Sequence, residues 1–184
     1  MDDMAACYRR FLQGDEEGLC RIIQAYKDGL MLYLNGYVRD LALAEELTEE
    51  TFVKLVLRRP RFSGRSTLKT WLYAIGRNIA VDHLRRRRNK ERSLEECREL
   101  ADEAVSLENG YLKQERKIRL HKAMEKLKPE YRQILWLVYF EGFSNKEVAG
   151  ILGKTTHNVE TTAWRARQAL KQELQKEGFI YEEL

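Results

Sequence analysis

FSGRSTLKTWLYAIGRNIAVDHLRRRRN, residues 62–89, joins a short polar loop to a helix that begins aromatic and ends in four consecutive arginines. Gly64 gives the loop FSGRST backbone freedom, and its hydroxyl side chains are suited to cap the helix behind it. From Leu68 on, apolar residues recur at Leu72, Ile75 and Ile79, the rhythm of a helix with one buried face. At about 100° per residue, Trp71, Asn78 and Arg85 fall on one seam along the edge of that face. A stacking ring, an amide and a cation on one line suit single-stranded nucleic acid, which offers unstacked bases, base edges and phosphates. The plainer alternative is that Trp71 is core and Arg85–Arg88 a solvated helix end favoured by the helix dipole.

Composition bounds the rest. With 184 residues, 43% hydrophobic and 34% charged, the chain is globular in character, and two prolines among many Leu, Glu, Lys and Arg favour helix throughout. No uninterrupted apolar run approaches a membrane span, and MDDMAACYRR lacks a signal-peptide core, so a cytoplasmic address without membrane insertion is expected. Cys7, Cys20 and Cys97 have no metal-ligand spacing and read as reduced thiols, while His83, His121 and His157 have no second ligand nearby. Neither a metal nor a cofactor is expected.

The net charge of +4 conceals strong segregation. Residues 1–53 carry 5 basic and 11 acidic side chains, residues 54–92 carry 13 and 2, residues 93–116 carry 3 and 7, and residues 117–184 carry 12 and 9. Such a pattern fits a polyanion on one surface and a basic partner on another. Ahead of the basic stretch the chain reads as two packing helices and then LALAEELTEETFVKL. In that third helix Leu41, Ala44, Thr48, Thr51, Phe52 and Leu55 share an arc toward a core, and Glu46, Glu50, Val53 and Leu57 project on another. The second arc, acidic with apolar spots, suits a basic and partly apolar protein surface.

After the arginines, NKERSLEECRELADEAVSLENGY becomes acidic and poor in large apolar residues, as a linker would. A second helical unit begins near Glu115, with Ile118, Leu120, Met124 and Leu127 on its first helix. Pro129 opens the next helix, EYRQILWLVYFEG, which Gly142 ends. Ser144 and Glu147 have capping-box spacing. NKEVAGILGKTTHNVETTAWRARQAL has helix-turn-helix spacing, with Ala149, turn Gly153 and Val159 at its fixed points and Val148, Ile151 and Leu152 filling the interior. A recognition helix of this kind enters the major groove by its N-terminal residues. Thr155, Thr156, His157, Asn158, Glu160 and Thr161 are then placed for bases, and Arg165, Arg167 and Lys171 for phosphates.

The chain resembles the sigma-70 family of bacterial RNA polymerase initiation factors, in the small extracytoplasmic-function group. The resemblance rests on AEELTEETFVKL, RFSGRSTLKTWLYAIGRNIAVDHLRRRRN and LKPEYRQILWLVYFEGFSNKEVAGILGKTTHNVETTAWRARQAL, in the family's order. It implies an all-α chain of two small helical domains joined by an acidic linker, with a region 2-like domain at 1–92, the linker at 93–114 and a region 4-like helix-turn-helix domain at 115–184. By resemblance, Glu46, Leu47, Glu49, Glu50 and Val53 dock on the clamp helices of the polymerase largest subunit. Phe62, Ser63, Gly64, Arg65, Ser66, Trp71, Arg77, Asn78, Arg85 and Arg86 meet the minus-10 element and hold a base flipped from the non-template strand. Thr156, His157, Asn158, Glu160, Thr161, Thr162, Arg165 and Arg167 face the duplex minus-35 element, and the same domain rests on the polymerase flap. Glu160 stands where members commonly carry a basic residue, and Thr162 replaces a frequent arginine. Many such factors are held by an anti-sigma protein that covers these surfaces.

The resemblance implies an initiation factor without enzymatic activity. A stand-alone helix-turn-helix regulator of duplex DNA is the rival reading, although no heptad repeat suggests the dimer it would ordinarily form. A metal-dependent nuclease using Glu45, Glu46, Glu49 and Glu50 lacks a matching carboxylate set elsewhere.

Overall fold

Local capping sets the helix boundaries of the first unit. In a computed structural model, which describes residues 3–93 and 113–176, α1 spans Asp3–Leu12, α2 Glu16–Val38, α3 Leu41–Arg58 and α4 Leu68–Ser93. Asp15 caps α2 by accepting from the Glu17 N–H at 3.0 Å, and Asp40 caps α3 by accepting from the Leu43 N–H at 3.0 Å. Arg39 and Arg59 end α2 and α3 in the left-handed region, with φ of 53° and 40°. Thr67 caps α4: its hydroxyl accepts from the Thr70 N–H at 3.1 Å and its carbonyl from the Trp71 N–H at 3.1 Å.

The second unit comprises α5 (Lys113–Glu125), α6 (Pro129–Leu135), a π-helical turn (Trp136–Phe140), α7 (Asn145–Leu152) and α8 (Thr156–Lys176). Pro129 sits in the first turn of α6, and Ser144 and Glu147 close a full capping box at α7. Gly153 ends α7 with φ of 64°, making the helix-turn-helix corner. All described regular structure is helical, in agreement with the expected all-α class. The interval 94–112 of the expected linker and the tail GFIYEEL lie outside the described residues.

Burial follows the predicted faces. Leu68, Leu72, Tyr73 and Ala80 of α4 are almost wholly buried, and α4 packs on α2, α3 and α7. On α3 the arc Ala44, Thr48, Thr51, Phe52 and Leu55 is buried as expected, but Leu41, at the helix start, is exposed. Thr48 and Thr51 satisfy their buried hydroxyls on the carbonyls of Ala44 and Leu47. A smaller cluster of Met124, Leu127, Leu135 and Ala166 holds α5 and α6 to α8.

The main core does not stop at the unit boundary. Ile134, Leu137, Phe143 and Val148 belong to the same cluster as Leu30 and Tyr73, so the two helical units share one continuous interior in this structure.

α1 and α2 approach closely at Gly18. A Cβ at Gly18 would lie 2.2 Å from the Cys7 carbonyl oxygen, a backbone atom that moves only if α1 moves. Gly18→Ala is therefore expected to cost roughly 2 kcal/mol through overpacking, read as a lower denaturant midpoint at unchanged slope.

Candidate nucleic-acid interface

The loop before α4 is held from three sides. Tyr8 of α1, fully buried, donates its hydroxyl to the Pro60 carbonyl at 2.7 Å. Burial pushes the Tyr8 phenol up to about 12, against the opposing pull of nearby Arg59, so the hydroxyl remains a donor at any working pH. The Trp71 ring lies between Tyr8 and Phe62, with centroids 5.3 Å from each. Ser63, Gly64, Arg65 and Ser66 are exposed above this aromatic trio, and Gly64 takes φ of 73°.

Along α4, Trp71 is half-buried while Asn78, Arg85 and Arg86 are exposed. The seam inferred from helical spacing is thus present as a surface line running from the loop to the basic end. Arg77 stands apart from it. Its guanidinium reaches the Tyr37 hydroxyl of α2, its Nε is buried with no hydrogen-bond partner among the described residues, and one terminal nitrogen donates to Asn78 Oδ1 at 3.2 Å.

On α3, Glu46, Glu49, Glu50 and Val53 are exposed together, joined by Val56 and by Leu57 at 77% exposure. Leu47 is a correction: at 2% exposure it belongs to the core arc and offers nothing to a partner. Glu50, Val53 and Leu57 line one side of an open groove of about 330 Å³, and Ile79, His83 and Arg86 of α4 line the other. The acidic arc and the arginine end therefore meet in one cleft.

In the second unit Thr156, His157, Asn158, Glu160, Arg165 and Arg167 are exposed on α8 and Thr161 is half-buried. The Thr155 hydroxyl accepts from the Asn158 N–H at 3.2 Å and so caps the recognition helix. Thr162 is a second correction: it is 8% exposed and packs inward with Val159, Ala163 and Ala166, so it reads no base. Arg167 donates to the Tyr139 hydroxyl at 3.1 Å. Tyr139, Phe140 and Trp164 are exposed aromatic side chains that helical spacing did not single out. Phe140 stacks on Trp136 at 4.4 Å and 7° across the π turn.

The structure also brings together residues that sequence reasoning left separate. Glu141, directly after the π turn, accepts from the Tyr73 hydroxyl at 2.6 Å and pairs with Lys69 Nζ at 3.0 Å; Lys69 also donates to the Glu141 carbonyl at 2.7 Å. Burial and the adjacent carboxylate raise the Tyr73 phenol well above its ordinary range. Glu147, besides capping α7, accepts from the Thr70 hydroxyl at 3.1 Å and the Thr67 hydroxyl at 3.4 Å. Burial opposes ionisation of Glu147, but hydrogen bonds from Ser144, Thr70 and Thr67 outweigh it and lower its pKa.

A helix-turn-helix and a basic helix preceded by an aromatic loop are the features of a helical DNA-binding factor. Comparison with known proteins specifies it further. The Sigma-70 region 2 family matches residues 22–90, and the Sigma-70, region 4 family matches residues 117–170. The ECF RNA polymerase sigma factor SigM of Bacillus subtilis is 30% identical over 156 residues, covering 82% of this chain and 91% of that protein. The probable RNA polymerase sigma-C factor of Mycobacterium bovis is 28% identical over 158 residues, covering 86% and 84%. Among solved structures, the sigma factor RpoE in complex with the anti-sigma factor NepR from Bartonella quintana superposes with a TM-score of 0.67 at 22% identity, covering 84% of this chain and 95% of that one. CnrH in complex with the cytosolic domain of CnrY gives 0.67 at 20% identity, covering 93% and 96%. The chain belongs to the extracytoplasmic-function sigma factors of the sigma-70 family. It is a transcription initiation factor that directs RNA polymerase to promoters.

Tyr8→Phe keeps the ring between Phe11 and Trp71 and removes only the bond to Pro60. The expected result is a stability loss of about 1 kcal/mol in a urea titration, together with faster proteolysis within residues 60–66.

Proposed function

We propose that the exposed seam of α4 opens the promoter by capturing a non-template base, and that the chain works as two domains, 1–92 and 115–184, joined by the segment 93–114. The observation that carries this reading is the position of Trp71. It is braced by Tyr8 and Phe62 at the root of an exposed loop, with Asn78 and Arg85 continuing the same edge and Arg86 beside it at the groove facing α3. Extruding a base costs a few kcal/mol of stacking and pairing, and a site that stacks on the base and bonds its edge offsets that cost. Binding energy then drives opening without nucleotide hydrolysis, and the chain needs no catalytic group of its own.

In this reading Glu46, Glu49, Glu50 and Val53 dock on the clamp helices of the polymerase largest subunit, with Leu57 widening the apolar part of the contact. Exposed Tyr139, Phe140 and Trp164 suit the flap, since aromatic side chains bury large areas at little entropic cost. Thr156, His157, Asn158 and Glu160 read the minus-35 duplex, with Glu160 able to accept a hydrogen bond from cytosine N4 and Arg165 placed on a phosphate. An anti-sigma protein fits the same surfaces, and the two solved relatives are each in complex with a regulatory partner of that kind or with a partner's cytosolic domain. The working compartment is the cytoplasm, where polymerase and promoter meet.

The first test is co-elution with bacterial core RNA polymerase. Glu50→Arg is expected to weaken the complex about tenfold by setting a cation against a basic surface, and an unchanged complex would remove the α3 arc from the interface. Trp71→Ala and Asn78→Ala should leave that complex intact while lowering open-promoter formation, measured by permanganate reactivity of unpaired thymines. Unchanged reactivity in both variants would end the base-capture reading.

A further inference from the structure

Arg77 and Asn78 are consecutive on α4, and a helix turns neighbours about 100° apart. Asn78 therefore stands on the exposed seam, while the guanidinium of half-buried Arg77 reaches back to the Tyr37 hydroxyl of α2. Tyr37 is itself held. Its ring meets Tyr33 edge-on, with centroids 5.3 Å apart at 90°, and the two hydroxyls lie 2.9 Å from each other. Tyr33 is wholly buried and stacks on Tyr73 of α4. A line of contacts thus runs from the core through Tyr33 and Tyr37 to Arg77, and one terminal guanidinium nitrogen closes it on Asn78 Oδ1 at 3.2 Å.

An amide on a helix surface can present either of its ends, since the carbonyl and the amino group have nearly the same shape. Beside Arg77 it cannot. A guanidinium has five N–H donors and no acceptor, so only the carbonyl oxygen of Asn78 can face it. Nδ2 then lies on the side away from Arg77, and its two N–H donors are the outward groups of the amide. Burial raises the Tyr37 phenol against the pull of Arg77, so the hydroxyl that holds the guanidinium keeps its proton at any working pH.

We propose that Arg77, held by Tyr37, is a positioning residue that fixes Asn78 as a hydrogen-bond donor toward the captured base, and so selects a base that presents a carbonyl oxygen there. The proposal rests on the base-capture reading above and adds to it a rule for which base is taken. Adenine is the disfavoured case. It has no carbonyl oxygen, and its amino group flanks both edge nitrogens, so asparagine pairs well with it only by offering an acceptor and a donor together. With Oδ1 engaged by Arg77, that two-point pairing is hindered. Thymine, with a carbonyl on either side of its pairing edge, takes the outward donors directly.

The test uses the protein assembled with bacterial core RNA polymerase and short fluorescein-labelled strands that are abasic except for one central thymine or adenine, with a fully abasic strand as reference. Anisotropy should show thymine bound about fivefold more tightly than adenine, the worth of one net hydrogen bond. Arg77→Leu frees the amide to turn and should bring the two affinities close to equal. Asn78→Asp keeps a partner for Arg77 but carries acceptors only, so it should reverse the order. The ratio of two strands of equal charge cancels the repulsion that the new carboxylate adds to both. Asn78→Asp, at an exposed position, also gives an answer if Arg77→Leu does not fold. A merely structural Arg77 would weaken both strands alike in Arg77→Leu and leave their ratio at the wild-type value, which overturns the proposal. An unchanged order in Asn78→Asp, or equal binding of thymine and adenine by the wild-type protein, overturns it as well. If Trp71→Ala brings both base-bearing strands down to the abasic one while neither variant alters their ratio, base capture stands and this assignment alone falls. If the wild-type protein binds the base-bearing strands no better than the abasic one, both fall.

Discussion

Burial of one face of α4 is the constraint on which the other parts depend. Leu68, Leu72, Tyr73 and Ala80 must stay packed against α2 and α3, and that packing fixes the rotation of the whole 26-residue helix. Once the rotation is fixed, the edge carrying Trp71, Asn78 and Arg85 can point only outward. Core packing thus aims this edge, and α1 completes the work by bracing Trp71 and holding the loop at Pro60 through the Tyr8 hydroxyl. Hydrophobic burial provides the energy and one buried hydrogen bond provides the direction.

Locally coded features were legible in the chain alone. Ser144 lies within three residues of the N–H it caps, and Pro129, Gly142 and Gly153 act on their own backbone angles; the equally local caps at Asp15 and Asp40 emerge only from the structure. The helix-turn-helix belongs to the same class, since its spacing is internal to 26 residues of sequence. Errors arose where a motif was carried as a run of letters and its faces were not separated. Leu47 follows Ala44 by three and precedes Thr51 by four, which places it on the buried arc of α3. Thr162 stands in the same relation to Val159 and Ala166 on α8. Both positions are inward by the 3.6-residue repeat that correctly placed their neighbours.

What the chain could not disclose is the junction between the units. Glu141 lies 68 residues from its Tyr73 partner and 72 from Lys69, and no periodicity links positions so far apart. Its orientation also depends on the π turn at Trp136–Phe140, a stretch apolar on every side whose period is uninformative. Gly29 gave no signal for a related reason: nothing in α2 alone distinguishes a glycine that admits a neighbouring carboxylate from one that merely weakens a helix.

The π turn has a consequence for how such a chain can change over generations. It holds one residue more than a regular helix would over the same span, so removing a single codon within 136–140 would restore the α-helical repeat. Everything after it would then be turned by about 100°, carrying Glu141 away from Lys69 and Tyr73 while every exposed side chain of α8 kept its identity. A single-codon deletion could therefore undo the Glu141 contacts without changing the identity of any residue that makes them.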